Sequence, residues 1–275
     1  MSMAAAEALP GQGVSLAHKV LKSTGVLWFL VATAGQWIFV YYILAAYGPS
    51  TLSGNFAAWD DTGLISGYVE NDLVGNLFFA SHVFLAVFMT AAATLQLTPP
   101  VRKRFPTFHR WTGRSFIVIA LILALGGFYM TWGRGVRLSD IGALGVSLNT
   151  VLIVSFSLLT LYFAMRRKIN IHRRWAMRTF IVVHGVWFFR LSLMGWFVLN
   201  QGPNGNTRML DGPADITISF ACYLVPLLIL ELYQRAADSR QARPKWVMSG
   251  VILLAVAATG LGVFAAYMMM WSPHF

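Results

Sequence analysis

The sequence predicts an all-α fold, a polytopic transmembrane helix bundle of about seven spans with the N-terminus inside. Three observations carry that prediction. The 275 residues are 57% hydrophobic and 11% charged, against about 25% charged in an ordinary soluble domain. Nearly every stretch between loops is apolar for about 20 residues, the length that crosses a hydrocarbon core of about 30 Å. Finally, 17 of the 21 Lys and Arg residues fall on one side of the threading, which the positive-inside rule assigns to the cytoplasm.

Taken in order, the spans are 24–46, 75–97, 109–131, 144–165, 171–198, 213–234 and 246–270. Residues 1–23 read as a cytoplasmic arm, since no apolar run precedes the first long segment, and no cleavable signal peptide is evident. Residues 24–270 read as a single transmembrane domain and 271–275 as a C-terminal tail. The longest outer loop, 48–74, reads either as an interfacial cap carrying Trp59 and Tyr68 or as a plain connection. Asp60, Asp61, Glu70, Asp72, Asp140, Asp211 and Asp215 all fall on the outer side. A net charge of +11 would suggest nucleic acid in a soluble protein. Here the loop distribution of the charge accounts for it, and no nucleic-acid partner is expected. The single cysteine, Cys222, can form neither an internal disulfide nor a cysteine-based metal site. No Walker motif, dinucleotide fingerprint or carboxylate cluster is present.

Four of the six histidines lie in or at the ends of spans: His82, His109, His172 and His184. Ionisable side chains are rare there and usually functional. A rise of about 1.5 Å per residue sorts them by depth. His109 and His172 begin spans three and five at the inner face. His184 lies roughly 18 Å further out than His172, and His82 about 22 Å out from the inner end of span two. The layout predicts two bis-histidine haem b groups, an inner pair and an outer pair, because neutral imidazole is a strong axial ligand for haem iron. Arg110, Arg114, Arg174 and Arg178 flank the inner pair and Arg190 follows His184; these are the expected partners of haem propionates. Gly113, Gly185 and Gly195 would let a flat macrocycle approach the backbone. Other readings stand beside this one. His109 and His172 could contact lipid phosphate, His82 and His184 could act as polar glue between helices, and Arg190 could snorkel to the interface. The histidines and Arg190 could also line a transporter or receptor site for a small polar ligand, or the chain could be an accessory subunit.

A short internal repeat accompanies the inner pair. Trp111-Thr-Gly-Arg114-Ser-Phe-Ile-Val118 matches Trp175-Ala-Met-Arg178-Thr-Phe-Ile-Val182, with His109-Arg110 and His172-Arg173 just ahead of the two copies. With His82 and His184, these blocks resemble a bacterial family of predicted membrane proteins of unknown function, domain of unknown function 2306, over about residues 75–235. That resemblance implies a multi-pass protein of the bacterial inner membrane. The four-histidine layout also looks like the transmembrane diheme b cytochromes. This second resemblance implies electron transport, with a quinone or a redox protein as partner beside the lipid bilayer.

Overall fold

The computed structural model describes residues 10–62 and 67–275. Within residues 1–23 the chain is helical from Pro10 onward, while residues 1–9 and residues 63–66 of the outer loop lie outside the described residues. Among the described residues the chain is helical with no strand.

Helix α1 runs Pro10–Ser53 without interruption. Its first turns are built into the bundle, because Ala17 and Leu21 recur on one face and are buried. A short 3-10 turn, Phe56–Thr62, follows, with Trp59 buried against Phe79. Helix α2 is Leu73–Leu97, α3 the basic one-and-a-half turns Pro99–Arg104, and α4 Pro106–Phe128, which widens into a π turn at Tyr129–Gly133. Helix α5 is Asp140–Met165. Helices α8, Pro213–Asp238, and α9, Ala242–Ala266, complete the bundle, and a π turn at Tyr267–Trp271 ends α9. The tail beyond it does not hang free: Trp271 is fully buried and stacks on Tyr42, and the His274 ring lies 5.5 Å from the same tyrosine.

The fifth span is not one straight helix. It is two, α6 Ile169–Val183 and α7 Gly185–Leu199, bent by 51° with His184 at the break. Breaking a helix inside a membrane frees backbone groups that a neighbour must satisfy. Asn149 of α5 does this, donating from Nδ2 to the Val182 carbonyl at 3.1 Å. Gly185 leaves room for it, since a Cβ there would stand 2.6 Å from Asn149 Nδ2.

The bent pair still crosses once. Helices α1 and α9 pack side by side and run in the same direction. Trp28 donates to Thr259 at 3.1 Å, Phe39 meets Trp271, and Tyr41 meets Phe275. Parallel first and last helices require an odd number of crossings, and α6–α7 as a re-entrant hairpin would make the number even. Among the described residues six single helices are long and apolar enough to span, and the bent pair makes seven. The outward faces are apolar, with Leu30, Ile122, Val151, Leu228 and Leu254 exposed. A surface of this kind is stable only against lipid.

The loop end of the bundle holding Asp72 is latched. Asp72 caps α2 through the Gly75 amide at 2.8 Å and pairs with Arg134 at 2.8 Å; Arg134 also donates to Asn76 at 2.8 Å and to the Gly67 carbonyl. The Gly75 amide first, then the Arg134 guanidinium, hold the Asp72 carboxyl below its usual value of 3.8. A carboxyl depressed in the folded state contributes stability above its unfolded pKa, and that contribution is lost as pH falls through the folded value. Limited proteolysis of the loop before α2 should therefore accelerate below about pH 3.8, and Asp72→Asn should show the faster cleavage already at neutral pH.

Candidate functional site

His109 and His172 occupy the same position in two helices, the fourth residue of α4 and of α6. One contact of the repeat recurs in both copies. Arg114 lies over the Trp111 ring at 5.2 Å and Arg178 over Trp175 at 4.5 Å. The two imidazoles are within electrostatic reach of one another, with Arg102 also near His109. His172 Nδ1 lies 3.0 Å from the Thr160 carbonyl of α5. A carbonyl only accepts, so Nδ1 carries the proton and Nε2 keeps its lone pair. His109 is held through its backbone, as Gln96 of α2 donates to the His109 carbonyl at 3.2 Å and to Thr112 at 2.5 Å. His109 Nδ1 is buried without a partner.

His184 is 3% exposed. Its Nδ1 lies 2.7 Å from the Phe180 carbonyl, one turn back, and its ring packs on Phe180 at 4.5 Å. The same argument puts the proton on Nδ1. Nε2 is left buried at the helix break with no partner. His82 sits on the face of α2 that meets α4, with Cε1 3.5 Å from the position a Gly127 Cβ would take. Its Nδ1 is also buried and unpartnered.

Arg190 of α7 lies within electrostatic reach of His82. It stands over the Phe39 ring at 5.4 Å and donates to the Val186 carbonyl at 3.3 Å, while its Nε is buried without a partner. Arg190 is thus turned into the α1–α2–α7 contact rather than out toward water, as snorkelling would need.

The remaining arginines divide. Arg110 and Arg114 are exposed, Arg110 contacting Thr107 at 3.3 Å. Arg174 and Arg178 are already bound to carboxylates of α8. Arg174 pairs with Asp238 at 2.5 Å, and Arg178 grips Glu231 through both nitrogens at 2.5 and 2.8 Å. Those two ion pairs bolt α6 to α8, and the Arg178–Glu231 pair has the fork-to-fork geometry suited to Arg and carboxylate. The three glycines are likewise occupied by protein: Gly113 faces Gln96, Gly185 faces Asn149, and Gly195 faces Gly262.

Asn149, Gln96 and Thr160 escaped the sequence reading. Asn149 and Gln96 are neutral polar residues inside apolar spans whose side chains donate to a backbone carbonyl of another helix, and Thr160 accepts from His172 through its own backbone carbonyl. Their polarity at membrane depth was the available signal. Among the described residues no group of three or more His, Cys, Asp or Glu side chains is placed to hold a metal ion. None of the four histidines lines the large apolar groove of the bundle, which lies among α1 and α6–α9.

Neither a curated protein nor a solved structure matches the chain. Residues 79–234 match the family model described as Predicted membrane protein (DUF2306), which runs from α2 to the end of α8 and covers more than half of the chain; the protein belongs to that family.

Proposed function

We propose that this protein is a haem-b-binding carrier of electrons in the bacterial cytoplasmic membrane, with the N-terminus inside. In this reading His82 and His184 hold one haem, and His109 and His172 the other. The observation that carries it is the state of the imidazoles. His172 and His184 both give Nδ1–H to a backbone carbonyl, and so both offer Nε2 as a lone pair. A metal-ligating histidine is oriented in this way by its outer hydrogen bond, which also raises its basicity.

The polar-glue reading accounts for the structure less well. Glue needs a hydrogen bond to another helix, and the bond His184 makes is to its own chain. Its Nε2 is left buried and unpaired, at a cost of about 1–3 kcal/mol for such a group. An axial ligand role removes that cost. A bound haem supplies a one-electron couple at each level; the protein sets where the imidazoles stand and keeps water from the outer pair. Arg190 brings a positive charge beside His82. That charge favours a propionate or an electron-rich state there. Arg110 and Arg114 remain available to propionates at the inner level, whereas Arg174 and Arg178 serve α8. Quinone or a redox protein would supply or take the electrons.

Absorption spectroscopy of the purified protein tests this. Dithionite should produce a sharp α-band in the b-type region, low-spin because both axial positions are filled. His109→Ala or His172→Ala should each remove the same single haem equivalent. Full haem content in both variants would instead mean that the inner pair contacts lipid phosphate.

A further inference from the structure

We propose that the groove among α1, α6, α7, α8 and α9 is a binding site for one anionic phospholipid, headgroup at the basic end of the bundle and acyl chain along the groove. The inference is independent of haem. The groove has a volume of about 770 Å³, inside the range of roughly 300–1,000 Å³ for ligand sites. Along α8 it runs from Ile218 to Tyr233, about 22 Å of helix. Its walls are apolar and aromatic, with Trp28, Phe29 and Phe188 on one side. Its rim residues Leu30, Val225 and Leu199 are exposed, so a chain can enter from the bilayer. An extended alkyl chain fits such a slot, and a compact polar ligand does not.

Charge selects the headgroup. Lys22 lines the basic end of the groove beside Tyr233. One turn down α1, His18 and Lys19 line a second cavity of about 570 Å³ with Arg240 and Lys245. Residues 18, 19 and 22 share a face of α1 by their i, i+3 and i+4 spacing. Lys245 is committed, its Nζ donating to the Ala236 and Ala237 carbonyls at 2.9 Å each. Lys19, Lys22 and Arg240 are not: the ion pairs among the described residues do not include them. The acids nearest that end of α8, Glu231 and Asp238, are taken up by Arg178 and Arg174. That end of the groove is therefore cationic, with Glu231 and Asp238 already paired among the described residues. Basic pockets between helices on the positive side of a membrane protein recognise anionic lipid headgroups.

Native mass spectrometry of the full chain, delipidated and then titrated with phosphatidylglycerol or phosphatidylcholine of identical acyl chains, tests the proposal. The expected result is one tightly retained phosphatidylglycerol. Its preference over phosphatidylcholine should fall roughly 30-fold in Lys19→Gln/Lys22→Gln, about 1 kcal/mol for each lysine. Both lysines are exposed, so that variant should melt like the wild type. Ala255→Trp, which fills the groove, should abolish retention of both lipids with the lysines intact. Ala258→Phe at the exposed rim is the alternative if Ala255→Trp does not fold. Equal retention of the two lipids, an unchanged preference in the lysine variant, or a neutral prenylquinone bound in place of phospholipid would each overturn it.

Discussion

His184→Ala should strip the outer haem and leave the inner one, halving the haem content of the purified protein. The variant loses the buried Nε2 at the break between α6 and α7, while the inner pair keeps its own contacts through Thr160 and Gln96. His184→Met should separate ligation from packing. A thioether can still ligate iron and raises the potential relative to two histidines, so this variant should keep the outer haem with a more positive midpoint. If His184 were only polar glue, alanine would cost about 0.6 kcal/mol, and midpoint and haem content would be untouched in both variants. At the break Asn149 satisfies the Val182 carbonyl and the imidazole the Phe180 carbonyl, so either change removes only the second of these two bonds.

The second large effect is expected at Gly262, far from any histidine. A Cβ at Gly262 would stand 2.8 Å from Leu191 Cβ and 3.0 Å from the Leu191 carbonyl oxygen, and Gly195 approaches Gly262 Cα from the same helix. Small residues at such a crossing let two membrane helices pack backbone to backbone. Overfilling a packed site typically costs about 1–3 kcal/mol. Gly262→Leu should reach or exceed the top of that range, because backbone rather than a flexible side-chain end would have to move. Helix α7 carries Arg190 and begins at His184, so the outer site should be disturbed along with stability. Gly250 on the same helix has nothing within 4 Å of its added Cβ, and Gly250→Leu is the matched control. Thermal unfolding in detergent should separate the two variants clearly; equal midpoints would show that α7 and α9 are not held by that contact.

How far the fold could be read from the sequence depended on whether the signal was local. Spans two, three, four, six and seven follow from apolar length alone, since lipid exposure demands it of each segment separately. The first helix was harder. Residues 10–23 lack an apolar run, yet Ala17 and Leu21 bury one face of a helix that starts at Pro10. Amphipathic spacing shows that, where total hydropathy does not. The break at His184 has no proline to announce it. The local hint was that the span 171–198 carries Arg173, Arg174 and Arg178 in its first turns and runs longer than a crossing needs. The partner that permits the break, Asn149, lies 33 positions away from the carbonyl it satisfies.

Among the site residues, the placement of His109 and His172 in the first turns of α4 and α6 was legible from their position just ahead of the two repeat copies. The roles of Arg174 and Arg178 were not. Both bind acids of α8, and which basic residues find carboxylates is decided by helix packing. A retrospective hint exists: the two arginines are spaced i, i+4 and the acids Glu231 and Asp238 i, i+7, each set on one helical face.

The most direct test of the histidine account is the ratio of haem to polypeptide in the protein purified from its own membrane. Pyridine haemochrome analysis beside amino-acid quantitation measures it without assuming any partner. The account predicts two b-type haems per chain, falling to one in His184→Ala and to one in His172→Ala. Purified, folded protein with no haem, whose melting temperature does not respond to added haemin, would contradict it.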